Sequence, residues 1–187
     1  MLASGAVTIG TLATPLGTLV FAWEAGGLVC LNLAEDLDAA SPDGLAPADT
    51  PVGLTPSDDA NPREPVPLAI RAAVARYFEA GTAGLTLPLA ARGTEFQHRV
   101  WRALQAIPPG ETRTYGDLAR QLGTSARAIG GACRANPCLI AVPCHRVIAK
   151  DGLGGFAGDV AGRRLAVKRW LLRHEGAPAA WVGAGEG

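Results

Sequence analysis

Residues 115–134 read Tyr-Gly-Asp-Leu-Ala-Arg-Gln-Leu-Gly-Thr-Ser-Ala-Arg-Ala-Ile-Gly-Gly-Ala-Cys-Arg. Two short helical runs, 115–122 and 126–134, are separated by a turn that contains Gly123. Ser125 is a favourable N-cap for the second run, and Asn136-Pro137 stops it. The stretch therefore predicts a helix–turn–helix, a unit found in DNA-binding domains and also in bundles that bind no nucleic acid.

The second of these helices has two unlike faces, one apolar and one made of glycine and arginine. A glycine inside a helix costs roughly 1 kcal/mol relative to alanine, so two adjacent glycines need compensation. Close approach of the helix backbone to a bulky, phosphate-rich partner would compensate, and close packing against another protein element is the alternative. The apolar face is Ile129, Ala132 and Cys133, and the opposite face is Arg127, Gly130, Gly131 and Arg134.

The segment before the helix–turn–helix predicts another amphipathic helix. Thr94 is a plausible N-cap, and apolar side chains from Phe96 to Leu104 form one stripe. Pro108-Pro109-Gly110 ends this helix. Residues 92–176 therefore form a mostly helical domain.

The N-terminal half predicts a small α/β domain over residues 1–91. Apolar runs at 7–13, 18–23 and 28–33 alternate with Pro/Gly turns, which indicates an antiparallel meander. A helix over 67–80, closed by Gly81, and one more strand over 85–89 complete the domain. Residues 38–65, with six Pro and five Asp, are typical of a mobile linker, and we expect residues 177–187 to be a flexible tail.

Charge is divided unevenly between these regions although the formal net charge is zero. Residues 1–91 hold three Arg against ten Asp and Glu, whereas residues 92–175 hold 14 Arg and Lys against six acids. This asymmetry favours an anionic partner for the C-terminal domain, with solvated surface arginines as the alternative. The sequence shows neither a signal peptide nor a membrane-length apolar run, so we expect a cytoplasmic protein with no membrane partner.

The strongest local signal for chemistry is Cys144 followed by His145. A thiolate is a nucleophile, and a nearby imidazole makes it accessible near neutral pH. Adjacent side chains of an extended segment point to opposite faces, so His145 would need a bend or a bridging water to reach the thiol. Glu175 could orient the imidazole from a separate helix. A buried thiol beside a surface ring is the alternative, and the cysteines and histidines form no recognisable zinc site.

The stretch Pro143-Cys144-His145-Arg146-Val147-Ile148 resembles the active-site motif of the O6-alkylguanine-DNA alkyltransferases, or methylated-DNA–protein-cysteine methyltransferases. The resemblance covers residues 93–175 almost continuously, whereas the N-terminal strands match only in outline. The other matching stretches, in family order, are Gly93–Gln97, Val100-Trp101, Ile107-Pro108, Gly110–Thr112, Thr114–Gly116, Arg127–Gly130, Asn136-Pro137, Gly154–Gly158 and Lys168–Leu172.

The resemblance implies an α/β (α+β) fold. Its N-terminal domain would be ribonuclease H-like, with a small antiparallel sheet and a helix, and its C-terminal domain mostly helical, of the winged helix–turn–helix type. Cys144 would attack the alkyl carbon, while His145, through a water and backed by Glu175, takes the thiol proton. Tyr115 would contact the base and give a proton to the leaving guanine. The product thioether has no obvious route back, so each molecule reacts once, without cofactor or metal.

The implied partner is double-stranded DNA that carries O6-alkylguanine, with O4-alkylthymine as a further substrate. The helix–turn–helix would lie in the minor groove of this DNA, Arg127 would fill the gap left by the flipped base, and Phe156 would pack on that base. We expect a monomer, and cooperative assembly on DNA stays open. The implied DNA-binding residues are Gln97, Tyr115, Gly116, Ala126, Arg127, Gly130, Gly131 and Arg134; the pocket residues are Asn136, Val147, Ile148, Phe156, Ala157, Gly158 and Lys168.

Three alternative functions are also compatible with parts of the sequence. A Cys-His-Glu hydrolase would explain the triad but neither Arg127 nor the paired glycines. A non-catalytic alkyltransferase-like protein would bind lesions, but such proteins typically lack the reactive cysteine, which is present here. A helix–turn–helix regulator would leave Cys144 without a role. Some relatives carry Tyr and Ser at the positions of Phe156 and Ala157, so this chain lacks the hydroxyl groups of those positions.

Overall fold

The computed structural model describes residues 7–34, 66–156 and 162–178. These residues form a mixed α/β fold with a small antiparallel sheet and helices, as predicted. The predicted linker 38–65, the pocket residues Ala157 and Gly158, and the tail from residue 179 onward lie outside the described residues.

The N-terminal strands form the predicted antiparallel meander. Strands β1 (Thr8–Thr14), β2 (Gly17–Glu24) and β3 (Gly27–Leu33) pair in that order, and a register shift interrupts the second pairing at Ala22/Trp23. The side chains of Leu19 and Phe21 on β2 are fully buried. Helix α1 (Leu68–Ala80) ends at Gly81, whose φ of 58° lies in the region that favours glycine.

The predicted strand over 85–89 was wrong in its extent. Only Leu89 forms a bridge, with Leu28, in a pair of backbone hydrogen bonds from Leu28 N to Pro88 O and from Ala90 N to Leu28 O. Proline has no N–H to donate, so Pro88 cannot continue a ladder. The segment is therefore an extended connection rather than a strand.

The predicted helix–turn–helix is confirmed, and its boundaries match the sequence pattern. Helix α2 (Glu95–Gln105) precedes the short strand β4 (Arg113–Thr114), which leads into α3 (Tyr115–Leu122) and α4 (Ala126–Arg134). The Thr94 and Thr114 side chains form capping boxes, and the Ser125 hydroxyl accepts from Ala128 N. Helix α2 ends before Pro108, at the C-cap Ala106.

After α4 the chain turns back to the sheet and then enters the site. Leu31 of β3 donates its N–H to Pro137 O and accepts from Leu139 N, so the sheet edge is tied to the loop after α4. A 3₁₀ turn, Cys144–Arg146, leads into β5 (Val147–Ile148), which pairs in parallel with β4. Helix α5 (Arg163–His174) ends the described fold.

One continuous apolar cluster joins the two halves of the described chain. It runs from Leu19 and Phe21 of the sheet through Tyr77 of α1 to Leu171 of α5. The Trp101 indole N–H donates to Ala132 O at 2.9 Å and so ties α2 to α4 inside this core. None of the helices within the described ranges is both long and apolar enough to cross a membrane.

Candidate active site

Cys144 lies almost fully buried at the start of the 3₁₀ turn, with 5% of its surface exposed. The Asn136 amide nitrogen donates to its Sγ at 3.3 Å and to Val142 O at 2.8 Å. The Asn136 carbonyl oxygen accepts from Cys138 N at 3.0 Å. Asn136 therefore spans the loop and holds the thiol through a hydrogen bond.

The segment around Cys144 is not extended but bent. Because Cys144–Arg146 forms a 3₁₀ turn, His145 follows the thiol into the interior, where it is fully buried. Its Nε2 lies 2.9 Å from Glu175 Oε1. Its Nδ1 is buried and has no hydrogen-bond partner among the described residues. The alternative of a surface ring beside a buried thiol is therefore wrong.

Glu175 is the centre of a buried hydrogen-bond network. Arg146 donates from Nε to Oε2 at 2.7 Å and from Nη2 to Oε1 at 2.8 Å. The Tyr77 hydroxyl donates to the same Oε1 at 2.9 Å. An acceptor-only carboxylate facing Nε2 places the imidazole proton on Nε2, and this leaves Nδ1 as a proton acceptor.

The charge states in this network follow from burial and from the ion pairs. Burial raises the pKa of Glu175, but the His145 contact and the Arg146 guanidinium outweigh it and lower the pKa from 4.5 to about 2. Burial lowers the pKa of His145; the Glu175 contact opposes this shift, whereas Arg146 and Lys168 lower the pKa further. An ionised Glu175 thus faces a neutral His145.

The thiol itself is protonated at rest. Burial raises the pKa of Cys144 above 9.0, while the Asn136 hydrogen bond and the Lys168 charge lower it in part. A thiolate must therefore be formed during a reaction by removing the proton to a base. His145 is the neighbouring base whose Nδ1 can accept that proton.

Lys168 supports the loop beside the thiol. Its fully buried ammonium donates to Val147 O at 2.6 Å, Leu153 O at 2.7 Å and Gly155 O at 2.9 Å. Burial lowers its pKa from 10.5 to about 8. Lys168 thus ties the loop at residues 153–155 to β5.

Tyr115 is the first residue of α3, and its side chain reaches the loop that Lys168 holds. Its hydroxyl donates to Gly155 O at 3.3 Å, and burial raises its pKa above 10.0, so the phenol stays protonated. Phe156 is buried next in the loop, and Val147 and Ile148 are buried in β5. The structure therefore brings Tyr115, Lys168 and Phe156 together around one loop, with Asn136 and the thiol held by the neighbouring segment.

The exposed face of α4 is open. A Cβ on Gly130 or Gly131 would meet nothing within 4 Å, so close packing against another part of the described chain does not explain these glycines. Ala126, Arg127, Gly131 and Arg134 are exposed, whereas Ile129, Ala132 and Cys133 are buried as predicted. Gly116 is half-buried at the start of α3.

Gln97, like Tyr115, is an implied DNA contact whose side chain already has a structural partner. Its Oε1 accepts from Thr94 N at 2.7 Å in the capping box of α2. Its amide NH₂ is the part of the side chain that could still donate to another group.

Two members of the network were not among the predicted site residues. Arg146 stands inside the quoted motif, and an arginine beside the Cys144–His145 pair could have been recognised as a partner for Glu175. Tyr77 lies 98 positions from Glu175, and its place on the apolar face of α1 predicted only a core residue. Among the described residues, no group of three metal-ligating side chains is placed to hold an ion.

The chain is similar in sequence and in fold to known proteins. The family described as "6-O-methylguanine DNA methyltransferase, DNA binding domain" matches residues 95–177. The methylated-DNA–protein-cysteine methyltransferase of Salmonella typhimurium is 52% identical over 107 residues, which cover 55% of this chain and 60% of that protein. The chain thus spans less than two thirds of this curated relative.

Solved structures match over nearly the whole chain. The crystal structure of the Mycobacterium tuberculosis O6-methylguanine methyltransferase has a TM-score of 0.66 at 33% identity, covering 93% of this chain and 96% of that one. The structure of Mycobacterium tuberculosis OGT in complex with DNA has a TM-score of 0.65 at 33% identity, covering 93% and 97%.

Proposed function

The chain belongs to the O6-methylguanine DNA methyltransferase family, and we propose that it repairs DNA by transferring an alkyl group from O6 of guanine to its own Cys144. The observation that carries this proposal is a buried Cys144 followed by His145, whose Nε2 faces Glu175 and whose Nδ1 is available to accept a proton. The substrate class follows from the relatives, whose names state methylated DNA and a cysteine acceptor.

The proposed reaction is a displacement at the alkyl carbon. The Sγ of Cys144 forms a bond to that carbon while the bond from the carbon to O6 breaks, and the electron pair of that bond goes to the guanine. His145 Nδ1 takes the thiol proton through a water, and Tyr115 supplies a proton to the leaving guanine. This step leaves His145 as an imidazolium and Tyr115 as a phenolate. Solvent then carries the extra proton of His145 back to Tyr115, so both residues return to their neutral forms and the products are a neutral thioether and an ordinary guanine.

The transfer is a single turnover. A thioether lacks the proton and the thiolate form on which nucleophilicity depends, and no described group near Cys144 would cleave its C–S bond. The protein is therefore consumed as a reagent. O4-alkylthymine, which carries an alkyl group on a comparable exocyclic oxygen, is the further substrate of this proposal.

Helix α4 is the proposed DNA-reading element. Its open glycine face lets a groove wall approach the backbone, and Arg127 and Arg134 flank that face with positive charge. A slim helix suits the minor groove, which is only about 6 Å wide. Since a base inside the stack cannot reach a buried thiol, the alkylated nucleotide must rotate out, and Arg127 would occupy its place. The protein would act as a monomer.

The proposal is tested by mass spectrometry of the intact protein and its peptides after incubation with a duplex that contains O6-methylguanine. We expect the mass of one methylene group to be added to the peptide with Cys144, saturating at one per molecule. Cys144→Ala is the matched control and should bind the duplex without gaining mass. An unchanged wild-type mass despite lesion-selective binding would replace the proposal with a non-catalytic lesion-binding role. Continuous release of a hydrolysed product would replace it with a hydrolase.

A further inference from the structure

Tyr77 is a buried polar residue that the proposed reaction does not use. It lies on α1, in the N-terminal half of the chain, and none of its surface is exposed. Its hydroxyl donates to Glu175 Oε1 at 2.9 Å, which is the same oxygen that faces His145 Nε2. A residue of the N-terminal half therefore reaches the carboxylate that orients the proposed base.

Both ends of Tyr77 are attached to the end of α5. The Nε2 of His174 lies 2.7 Å from the backbone carbonyl oxygen of Tyr77. The two side-chain rings pack edge to face, and their centroids are 5.2 Å apart. Because His174 and Glu175 are consecutive, Tyr77 is held by two neighbouring residues at once. This double attachment fixes the phenol relative to the carboxylate.

Glu175 needs such support because of its place in the fold. It is the C-cap residue of α5, and its backbone N–H donates to Leu171 O at 3.0 Å. A carboxylate at a helix C-terminus lies against the negative end of the helix dipole and is unfavourable there. Helix ends also fray. Arg146 supplies the opposite charge, and Tyr77 supplies a neutral donor from a different element.

We propose that Tyr77 is a positioning residue for alkyl transfer: its phenol holds Glu175 Oε1 so that His145 keeps its proton on Nε2 and its Nδ1 free for the thiol proton. This inference rests on the proposed function. The phenol is an obligatory donor here because an ionised carboxylate can only accept. Without it, Oε1 would keep His145 and Arg146 as partners, but the anchor from α1 would be lost.

The proposal predicts a change in the pH dependence. The charged or titratable groups around His145 are Glu175 and Lys168 from α5, and Arg146 and Cys144 from its own turn, while Tyr77 acts through Glu175. Removing the Tyr77 hydroxyl leaves more negative charge on Glu175 Oε1, and this oxygen then stabilises the protonated form of His145 more strongly. The pKa of His145 should therefore rise, and the base should become protonated at a higher pH than in the wild type.

The experiment compares single-turnover alkyl transfer by the wild type and Tyr77→Phe, which keeps the ring and removes the hydroxyl. We expect the rate at pH 6 to fall about tenfold, the size expected of one hydrogen bond to a charged group, and less at pH 8. The acid limb of the pH–rate profile should move to higher pH. In a Glu175→Gln background, the same substitution should not move the limb further.

Val74→Ala is the matched control because Val74 is a buried residue of the same helix and belongs to the apolar core. It should lower the stability but leave the rate within about twofold and the acid limb in place, since a packing loss does not touch the carboxylate. A Tyr77→Phe variant that behaves like Val74→Ala, losing stability alone, would overturn the proposal.

A spectroscopic readout separates this proposal from the function on which it rests. Nitrogen-15 spectra of the His145 ring should show the proton on Nε2 in the wild type and a mixed or shifted state in Tyr77→Phe. If the wild type transfers no alkyl group, the proposed function fails, and the ring spectra still decide the positioning. An unchanged His145 spectrum in Tyr77→Phe would overturn the proposal in either case.

Discussion

The exposed face of α4 and the buried network around Glu175 are built in opposite ways. On α4, Gly130 and Gly131 have open space where a Cβ would be, and Arg127 and Arg134 are exposed. Glu175, by contrast, is only 3% exposed, and its carboxylate accepts from three different side chains within the described chain.

The difference follows from the role that we propose for each region. The side chains of a surface that receives DNA must stay free of internal contacts until the DNA arrives, because such contacts would have to be broken on binding. A proton acceptor must have one defined tautomer before the substrate arrives, so its neighbours are fully bonded and rigid. We therefore expect substitutions in the buried network to lower stability without changing DNA affinity. Substitutions of the glycines on α4 should lower DNA affinity without lowering stability.

The largest effect is expected from Glu175→Gln. Removing the carboxylate charge leaves the Arg146 guanidinium buried and uncompensated, which should cost about 3–5 kcal/mol of unfolding free energy at pH 7. The rate of alkyl transfer should fall about 100-fold because the orientation of His145 is lost. Denaturant unfolding and single-turnover kinetics measure the two effects. Duplex affinity should change less than about twofold, since Glu175 lies away from the exposed face of α4.

The same residue gives the protein a defined acid sensitivity. The folded-state pKa of Glu175 is lowered from 4.5 to about 2, so its contribution is complete above about 4.5 and is lost as the pH falls through 2. Wild-type stability should therefore fall by roughly 3 kcal/mol over this window from Glu175 alone. Unfolding curves at pH 5, 4, 3 and 2 check this, and Glu175→Gln should lack that component. Identical acid dependence in both proteins would contradict the depressed pKa.

A smaller and opposite effect is expected from the double substitution Gly130→Ala, Gly131→Ala. Alanine favours a helix by up to about 1 kcal/mol per site relative to glycine, and each new Cβ has free space, so the melting temperature should rise. Duplex affinity should fall at least about tenfold because the methyl groups separate the backbone from the groove wall. Titration of a labelled duplex measures this loss.

Gly26→Ala is a matched control for that pair. Its Cβ would meet Ala90 Cβ at 3.7 Å, an ordinary contact on the sheet side of the molecule. The control should leave duplex affinity unchanged. Unaltered affinity in the α4 double variant would show that the glycines do not face DNA.

The smallest effect is expected from Ser125→Ala at the start of α4. The Ser125 hydroxyl accepts from Ala128 N at 3.2 Å, and loss of such a cap costs about 1 kcal/mol. Thermal unfolding should detect this loss, whereas Ser125→Asp should retain the cap and the stability. The transfer rate at saturating duplex should stay the same, because the cap does not contact the Glu175 network. A rate loss in Ser125→Ala alone would mean that α4 and the thiol site are coupled.

Local patterns predicted most of the secondary structure correctly because their causes are local. The bounds of α3 and α4 follow from Thr114, Gly123 and Ser125, whose capping and turn preferences act within four residues. The three meander strands follow from alternating apolar runs between Gly-containing turns. The segment 85–89 failed because pairing of a strand depends on its neighbours, and Pro88 limits it to a single bridge.

The sequence by itself determined the candidate nucleophile Cys144, the family of the chain and the glycine–arginine face of α4. These were readable because the motif around Cys144 is contiguous, and because a glycine pair flanked by arginines on one helix face has few local explanations. The tertiary structure decided which groups surround the thiol and His145. The contacts of Glu175 with His145, Arg146 and Tyr77 join residues up to 98 positions apart. No local propensity encodes such contacts, since they depend on how α1 and α5 pack in the folded chain.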